Sequence, residues 1–338
     1  MHQHHTGLTR RAAAVGMIGA AALPHVPAWA QAKGGELTFA SSAPPKIATG
    51  KALDFFTKRA TELAGAELKI KSFLGGTLYS EGTAVQAMRS GEIDLATISE
   101  GNIGAFTKQM FFLNLPYVFG SPAQMIKFLQ EDSFAQDIVR NLEGEGIKVI
   151  AFIENGGFRV ITNSKRPVAT PADLHGLKLR TVDSPVDVAV TKAFGAAPTP
   201  VAWAETYSAL SQGVVDGVHI PYGWNGIGRI FEVAKHVTEV RALLSVQMIV
   251  ADVKRFKSFP PKVQQALMQA GREAEAEALR LSQDEVAHWK EEAVKGGVKI
   301  HTATPAEYEQ WRTAGRSVWP MFASQVPQAL LERLSRAA

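Results

Sequence analysis

Short apolar runs alternate with longer stretches of helical periodicity from Glu36 onward. Short apolar runs are typical of buried strands, and apolar residues spaced three and four apart are typical of amphipathic helices. The pattern predicts helices over residues 51–64 and 81–89. It predicts strands over residues 36–40, 67–73, 93–98, 148–153, 158–162, 177–181, 214–219 and 245–251. Strands that alternate with helices indicate an α/β fold in which helices cover the sheets.

The longest helical pattern begins after Pro260 and covers residues 262–295, closed by Gly296 and Gly297. Proline at the start and glycine past the end are typical helix boundaries. Such a helix is about 50 Å long, which exceeds one domain of this size. A break near Gly271 and a coiled-coil arm are the alternatives, although few leucines support a sustained coiled-coil seam.

One local pattern occurs twice, at residues 87–94 and 209–216: the end of a helix, a glycine, a short strand and an aspartate. Glycine is favoured just past a helix C-terminus because it adopts the left-handed conformation. Ligands of open α/β sheets bind at the carboxyl ends of strands. Two similar lobes would therefore enclose a ligand between them, unless the match is a coincidence of a common motif.

The N-terminal thirty residues have the features of a secretory signal peptide. Arg10 and Arg11 precede the apolar stretch 12–23, and Ala28-Trp29-Ala30 provides a small-residue cleavage site. Both Sec and twin-arginine export fit this segment. No later stretch reaches the roughly 18 consecutive apolar residues of a membrane span. The sequence therefore predicts an exported, periplasmic protein without stable membrane insertion.

The amino-acid composition limits the kinds of function that the protein can have. The 338 residues suggest two domains, and the absence of cysteine excludes thiol nucleophiles, iron–sulfur clusters and cysteine-bound zinc. The formal net charge is +4, and Arg10 and Arg11 contribute two of these charges. A nearly neutral mature chain gives no indication of a nucleic-acid partner.

Motifs of catalysis and cofactor binding are missing from the sequence. There is no G-x-S-x-G, H-E-x-x-H or EF-hand spacing, and the Gly226-Ile227-Gly228 sequence lacks the third glycine of a dinucleotide loop. Glu100 and Asp216 are an acid/base pair, or either of them is a hydrogen-bonding residue of a pocket or a turn cap. We expect no enzyme activity, no cofactor and no metal. Surface or helix-side positions are expected for five histidines: His175, His219, His236, His288 and His301.

Two arginines stand near predicted strand ends. Arg159 follows Asn155 and two glycines, and Arg180 ends the strand that contains Leu177 and Leu179. A guanidinium is a planar fork that holds a carboxylate through two hydrogen bonds, so both residues are candidates for binding a small organic acid. A surface ion pair is the alternative for each.

Several segments together resemble the solute-binding protein of a TRAP (tripartite ATP-independent periplasmic) transporter, in the C4-dicarboxylate-binding-protein-like family. The resemblance covers residues 37–319. It is carried by the segments 90–94, 115–119, 159–167, 170–180, 195–200, 203–210 and 213–217.

The resemblance implies two α/β lobes joined by crossing strands and by the long helix. The predicted divisions are a signal peptide over 1–30, a first lobe over 31–153 plus about 240–260, a second lobe over 154–239 plus about 296–338, and the helix over 261–295. Integral membrane small and large subunits are the implied partners. A different transporter or sensor system, or a secreted enzyme on the same scaffold, is the alternative.

The resemblance also implies ligand-binding residues. Arg180 is expected to pair with a ligand carboxylate, Arg159 to supply a second cationic contact, and Trp203 to pack on the ligand. The remaining candidates are Ser41, Ser42, Ser99, Glu100, Asn155, Ile220 and Tyr222.

One segment departs from the family pattern. Many members have Gln-Glu-Asn-Pro where this chain has Val218-His219-Ile220-Pro221, so Ile220 replaces a hydrogen-bonding asparagine. Buried polar ligand groups need partners, whereas apolar surface favours an apolar ligand. The sequence therefore predicts an organic acid with one firmly held carboxylate and a less polar body.

Export predicts a shortened mature chain. Mass spectrometry of the protein recovered from the periplasm of an expressing bacterium is expected to find a chain that begins after Ala30. Recovery of the exported protein with Met1 intact would contradict the signal peptide.

Overall fold

The computed structural model describes residues 35–336, so the predicted signal peptide lies outside the described residues. The strands are β1 Glu36–Ala40, β2 Lys69–Phe73, β3 Leu95–Ser99, β4 Ile147–Phe158, β5 Val160–Asn163, β6 Lys178–Thr181, β7 Ala197–Pro200, β8 Gly217–Ile220, β9 His236–Glu239, β10 Leu244–Asp252 and β11 Lys299–Thr302. The α-helices are α1 Ala48–Ala64, α2 Glu81–Ser90, α3 Pro122–Glu131, α4 Ser133–Gly144, α5 Pro185–Ala193, α6 Thr206–Ser211, α7 Tyr222–Ile227, α8 Ile230–Val233, α9 Val253–Ser258, α10 Pro261–Lys295, α11 Pro305–Arg316 and α12 Gln328–Arg336.

The strands form two separate sheets. The first sheet has the order β2-β1-β3-β10-β4, and the second has the order β11-β9-β5-β8-β6-β7. In both sheets parallel pairs such as β1–β3 and β6–β8 adjoin an antiparallel strand, β10 in the first and β5 in the second. Helices cover the sheets, as the alternating pattern predicts.

The chain crosses between the sheets at two adjacent places. Strand β4 of the first sheet ends at Phe158 and β5 of the second begins at Val160, so Arg159 alone separates them. The return crossing lies between β9 and β10, and the Arg159 N–H donates to the Leu243 carbonyl at 2.8 Å. Gly156 and Gly157 precede Arg159 with φ of 91° and 79°, a conformation that favours glycine. The crossings therefore fix Arg159 at the junction of the sheets.

The repeated sequence pattern corresponds to a repeated structure. Gly91 and Gly213 follow helices α2 and α6 with φ of 81° and 70°. Asp94 donates its N–H to the Thr38 carbonyl at 2.9 Å, and its carboxylate accepts the Thr38 N–H at 2.8 Å. Asp216 makes the same pair of bonds to the carbonyl and N–H of Lys178, at 2.7 and 2.9 Å. Asp216 therefore joins two strands, which explains this residue without an acid/base role.

Helix α10 is continuous through Gly271. A Cβ atom at this position would lie 2.8 Å from the Ile150 carbonyl oxygen, so glycine allows the helix to lie close against β4. Helix α10 also contacts α1 and α7, and α7 directly follows β8 of the second sheet. The long helix thus touches elements attached to both sheets. The predicted continuous helix is confirmed, and the alternative of a break near Gly271 is excluded.

The core lies between the sheets and their helices. Phe39 packs edge-on against Phe56 at 5.9 Å between ring centroids, and Trp311 of α11 packs on Phe194 at 5.1 Å. Helix α12 returns to α3, where Gln124 donates to the Leu334 carbonyl at 3.1 Å. The lobe boundaries predicted from the sequence stay a prediction.

Gly271→Ala is expected to lower the free energy of unfolding by about 1–3 kcal/mol, because the added methyl forces α10 away from β4. Gly82→Ala in α2 is the matched control, since a Cβ there meets no atom within 4 Å and alanine favours a helix by up to about 1 kcal/mol. Urea unfolding measures both. Equal effects of the two substitutions would contradict the close approach of α10.

Candidate ligand-binding site

A cavity of about 70 Å³ lies between the two sheets. A water molecule needs roughly 10–15 Å³, so the space suits several waters or a small solute. Strands β3, β6 and β8 end at this cavity, which is the usual position of a ligand in an open α/β sheet. Most of the predicted site residues line it: Ser42, Ser99, Glu100, Asn155, Arg159, Arg180, Trp203 and Ile220.

Arg180 is a buried cation that forms no salt bridge with the described residues. It stands within β6 and is 9% exposed. Its Nε donates to the Val201 carbonyl at 2.9 Å, and no residue of the described range 35–336 forms a salt bridge with it. Burial lowers the pKa of Arg180 to about 10, and the positive charge of Arg159 acts in the same direction, while the negative charges of Asp187 and Glu81 only partly offset the two. The group is therefore charged at neutral pH, and its Nη atoms are available to an anion.

Arg159 has partners of its own. Its Nη1 donates to Asp187 Oδ1 at 3.0 Å, and its Nη2 donates to Glu100 Oε1. Burial alone lowers the pKa of Arg159, but the charges of Asp187 and Glu100 outweigh burial and raise it above the ordinary value. Since Glu100 follows β3 and Asp187 lies on α5, this ion pair connects elements of both sheets.

A chain of hydrogen bonds supports Glu100 from the first sheet. Thr49 donates to Asn155 Oδ1 at 2.7 Å, and Asn155 Nδ2 donates to Ser245 Oγ at 2.9 Å. Ser245 donates to Glu100 Oε1 at 3.2 Å, and the Val246 N–H donates to Oε2 at 3.1 Å. These bonds occupy Asn155 and fix the carboxylate that faces Arg159.

Two indole rings form an apolar wall of the cavity. The rings of Trp203 and Trp224 are perpendicular, with centroids 4.7 Å apart. Trp224 is buried and its Nε1 donates to Asn155 Oδ1 at 3.0 Å, whereas Trp203 is half-buried. Ile220, at the end of β8, continues this wall.

Two predicted site residues do not line the cavity. Ser41 is buried behind it, where its Oγ lies 2.7 Å from Thr97 Oγ1 and accepts the Ala43 N–H. Tyr222 donates its hydroxyl to Glu239 at 3.0 Å and borders a separate groove beside α10. Both residues therefore serve packing in this structure.

Several lining residues were not expected from the sequence. The main ones are Glu81, Thr181, Asp187, His219, Trp224, Ser245 and Gln247. His219 lies in β8 and is 8% exposed, so its predicted surface position is wrong. A polar residue within an otherwise apolar strand was the available signal for both His219 and Gln247. Asp187 gave no such signal, because it stands in the first turn of α5, where acidic residues are common.

Two kinds of feature are absent from residues 35–336. No cluster of three or more histidine or acidic side chains in this range has the arrangement of a metal site. Within the same range, every helix is too short or too polar to cross a bilayer.

Comparison with known proteins identifies relatives that cover most of the chain. The model of a family described as bacterial extracellular solute-binding protein, family 7 (DctP), matches residues 39–325. The 2,3-diketo-L-gulonate-binding periplasmic protein of Escherichia coli is 33% identical over 268 residues, which are 79% of this chain and 80% of that protein.

Solved structures extend the comparison. A TRAP periplasmic solute-binding protein from Sulfurospirillum deleyianum, with bound succinate, is 27% identical with a TM-score of 0.82 over 88% of this chain and 97% of that chain. Another from Chromohalobacter salexigens, with bound D-glucuronate, is 24% identical with a TM-score of 0.83 over 89% of this chain and 100% of that chain. The two-lobed α/β fold and the TRAP resemblance predicted from the sequence are confirmed.

The two arginines are expected to differ in their effect on the ligand-free protein. Arg159→Met is expected to lower the free energy of unfolding by about 3–5 kcal/mol, because it leaves two buried carboxylates unpaired. Arg180→Met has no ion pair to break and removes a buried charge, so a change below about 1 kcal/mol is expected. Urea unfolding after removal of bound ligand measures both variants. An equal loss in the two would show that Arg180 has a structural ionic partner.

Proposed function

The chain belongs to bacterial extracellular solute-binding protein family 7, and from this membership we propose that it captures an organic acid by pairing the acid's carboxylate with Arg180. The family consists of solute-binding proteins and is not an enzyme family. The expectation of a binding protein without catalytic activity is therefore confirmed, and the remaining question is how the ligand is held.

The observation that carries the proposal is the unpaired charge of Arg180. Two arginines line one cavity, and among residues 35–336 salt-bridging carboxylates are found for Arg159 and not for Arg180. A buried cation is costly unless an anion accompanies it. A ligand carboxylate would supply that anion through two parallel hydrogen bonds to the guanidinium.

The names of relatives support an acidic ligand. The Escherichia coli relative is named for 2,3-diketo-L-gulonate, and the Sulfurospirillum deleyianum structure contains succinate. Both compounds are carboxylates, although their remaining groups differ. A carboxylate is therefore the chemical feature that we assign to the ligand of this chain.

Capture requires the lobes to open and close. Gly156 and Gly157 precede the crossing at Arg159, so rotation at this place would open the cavity. Closure would exclude water and strengthen the pairing of Arg180 with the acid. Micromolar affinity needs about −8 kcal/mol, which one charge-assisted fork with aromatic packing against Trp203 can provide.

Delivery completes the proposed role. The protein would be exported to the periplasm by a Sec or twin-arginine signal peptide, and the closed form would dock on the small and large integral membrane subunits of a TRAP transporter. The transported solute is the small organic acid held in the cavity.

Arg180→Gln is expected to weaken binding of the tightest-binding acid by about 30-fold or more, because removal of one member of a buried charge pair costs about 2 kcal/mol or more. Isothermal titration calorimetry with succinate, D-gluconate and D-glucuronate measures the affinities. Arg140→Gln is the control, since the Arg140 side chain is 65% exposed on α4. An unchanged dissociation constant in Arg180→Gln, or equally tight binding of uncharged D-glucose, would overturn the proposal.

A further inference from the structure

The cavity contains buried hydrogen-bonding atoms that have no partner among the described residues. Asp187 Oδ2, His219 Nε2 and Gln247 Oε1 are three of them, and all three residues line the cavity. Their side chains are almost completely buried, with exposed fractions of 5%, 8% and 1%. Unsatisfied buried polar atoms are rare in folded proteins because their desolvation is not compensated. With the Thr181 hydroxyl, which is also unpartnered and belongs to a lining residue, four such atoms surround one cavity and indicate groups that a ligand satisfies.

Asp187 presents a hydrogen-bond acceptor. Its Oδ1 accepts from Arg159 Nη1 at 3.0 Å, and its Oδ2 faces no donor among the described residues. An ionised carboxylate only accepts hydrogen bonds. The free oxygen therefore requires a donor such as a hydroxyl group.

His219 presents a second acceptor. Burial, together with the charge of Arg159, lowers the pKa of His219 to about 3, so the ring is neutral at pH 7. A neutral imidazole accepts a hydrogen bond through its unprotonated nitrogen. Nε2 has no partner among the described residues, so it is available as an acceptor.

Gln247 presents a third acceptor from the other sheet. It lies in β10, between the antiparallel neighbours Ser99 of β3 and Ile153 of β4. Its side-chain carbonyl oxygen has no donor within the described residues. Acceptors from both sheets thus surround the space beside Arg180.

We propose, on the basis of the function proposed above, that the ligand is a polyhydroxylated monocarboxylate whose hydroxyl groups donate to Asp187 Oδ2, His219 Nε2 and Gln247 Oε1 while Arg180 holds its carboxylate. A second carboxylate would face acceptors and the negative charge of Asp187, which disfavours dicarboxylates. This proposal assigns a hydroxylated ligand body in place of the less polar body expected from Ile220. The earlier expectation did not include Asp187, His219 and Gln247.

The apolar wall agrees with this ligand class. Sugar acids carry hydroxyl groups on their edges and C–H bonds on their faces. Trp203, Trp224 and Ile220 line the same cavity and offer surface to the C–H groups. The acceptors then distinguish a hydroxylated chain from a simple alkyl chain of equal length.

Calorimetric titration with matched acids tests the proposal. The probes are D-erythronate, butanoate and succinate with four carbons, and D-gluconate, hexanoate and adipate with six. In at least one length class the hydroxylated acid is expected to bind at least tenfold more tightly than both the alkanoate and the dicarboxylate. Tightest binding of an alkanoate or a dicarboxylate, abolished in Arg180→Gln, would overturn this inference and leave the proposed function standing. Binding of no acid would overturn both.

Two substitutions identify the residues responsible. His219→Phe and Gln247→Met keep approximate volume and remove an acceptor, so each is expected to reduce the preference for the hydroxylated acid over the alkanoate by at least tenfold. His219→Gln restores an acceptor and is expected to recover part of that preference. Melting temperatures establish whether each variant is folded. If a variant does not fold, the titrations of the unmodified protein with the matched acids test the ligand class on their own. An unchanged preference in both folded variants would contradict the assignment of hydroxyl recognition to these side chains.

Discussion

The site depends on a difference between two buried arginines. Arg159 and Arg180 line the same cavity. The carboxylates of Glu100 and Asp187 both form salt bridges with Arg159. Arg159 is therefore neutralised by the protein, while Arg180 keeps a charge that burial makes unfavourable. A cation in this state favours an entering anion, since folding has already removed most of the solvent contact of Arg180.

The fold explains how this difference arises. The chain passes from the first sheet to the second through a single residue, Arg159, whose main chain also bonds to the return crossing at Leu243. Its side chain meets Glu100 from the first sheet and Asp187 beside the second, so the ion pair belongs to the junction. Arg180 lies within β6, away from that crossing, and can serve the ligand.

Much of the fold follows from the sequence, and less of the site does. The spacing of apolar residues predicts β1 and α10 nearly to the residue, since long periodic segments and capped ends carry strong local signals. The local sequence does not reveal the role of Gly271, because its close packing against Ile150 involves a strand far away in the chain. Arg159 was expected to contact the ligand, and its ion pair with Asp187 spans 28 positions that no local pattern connects. Long-range pairing of charges thus limits what the sequence reveals about this cavity.

A crystal structure of the complex with the acid that binds most tightly tests the central claim most directly. The account predicts both carboxylate oxygens within hydrogen-bonding distance of the Arg180 guanidinium, with Arg159 still bonded to Glu100 and Asp187. A carboxylate bound to Arg159 instead, or Arg180 turned toward bulk solvent beside a filled cavity, would contradict it.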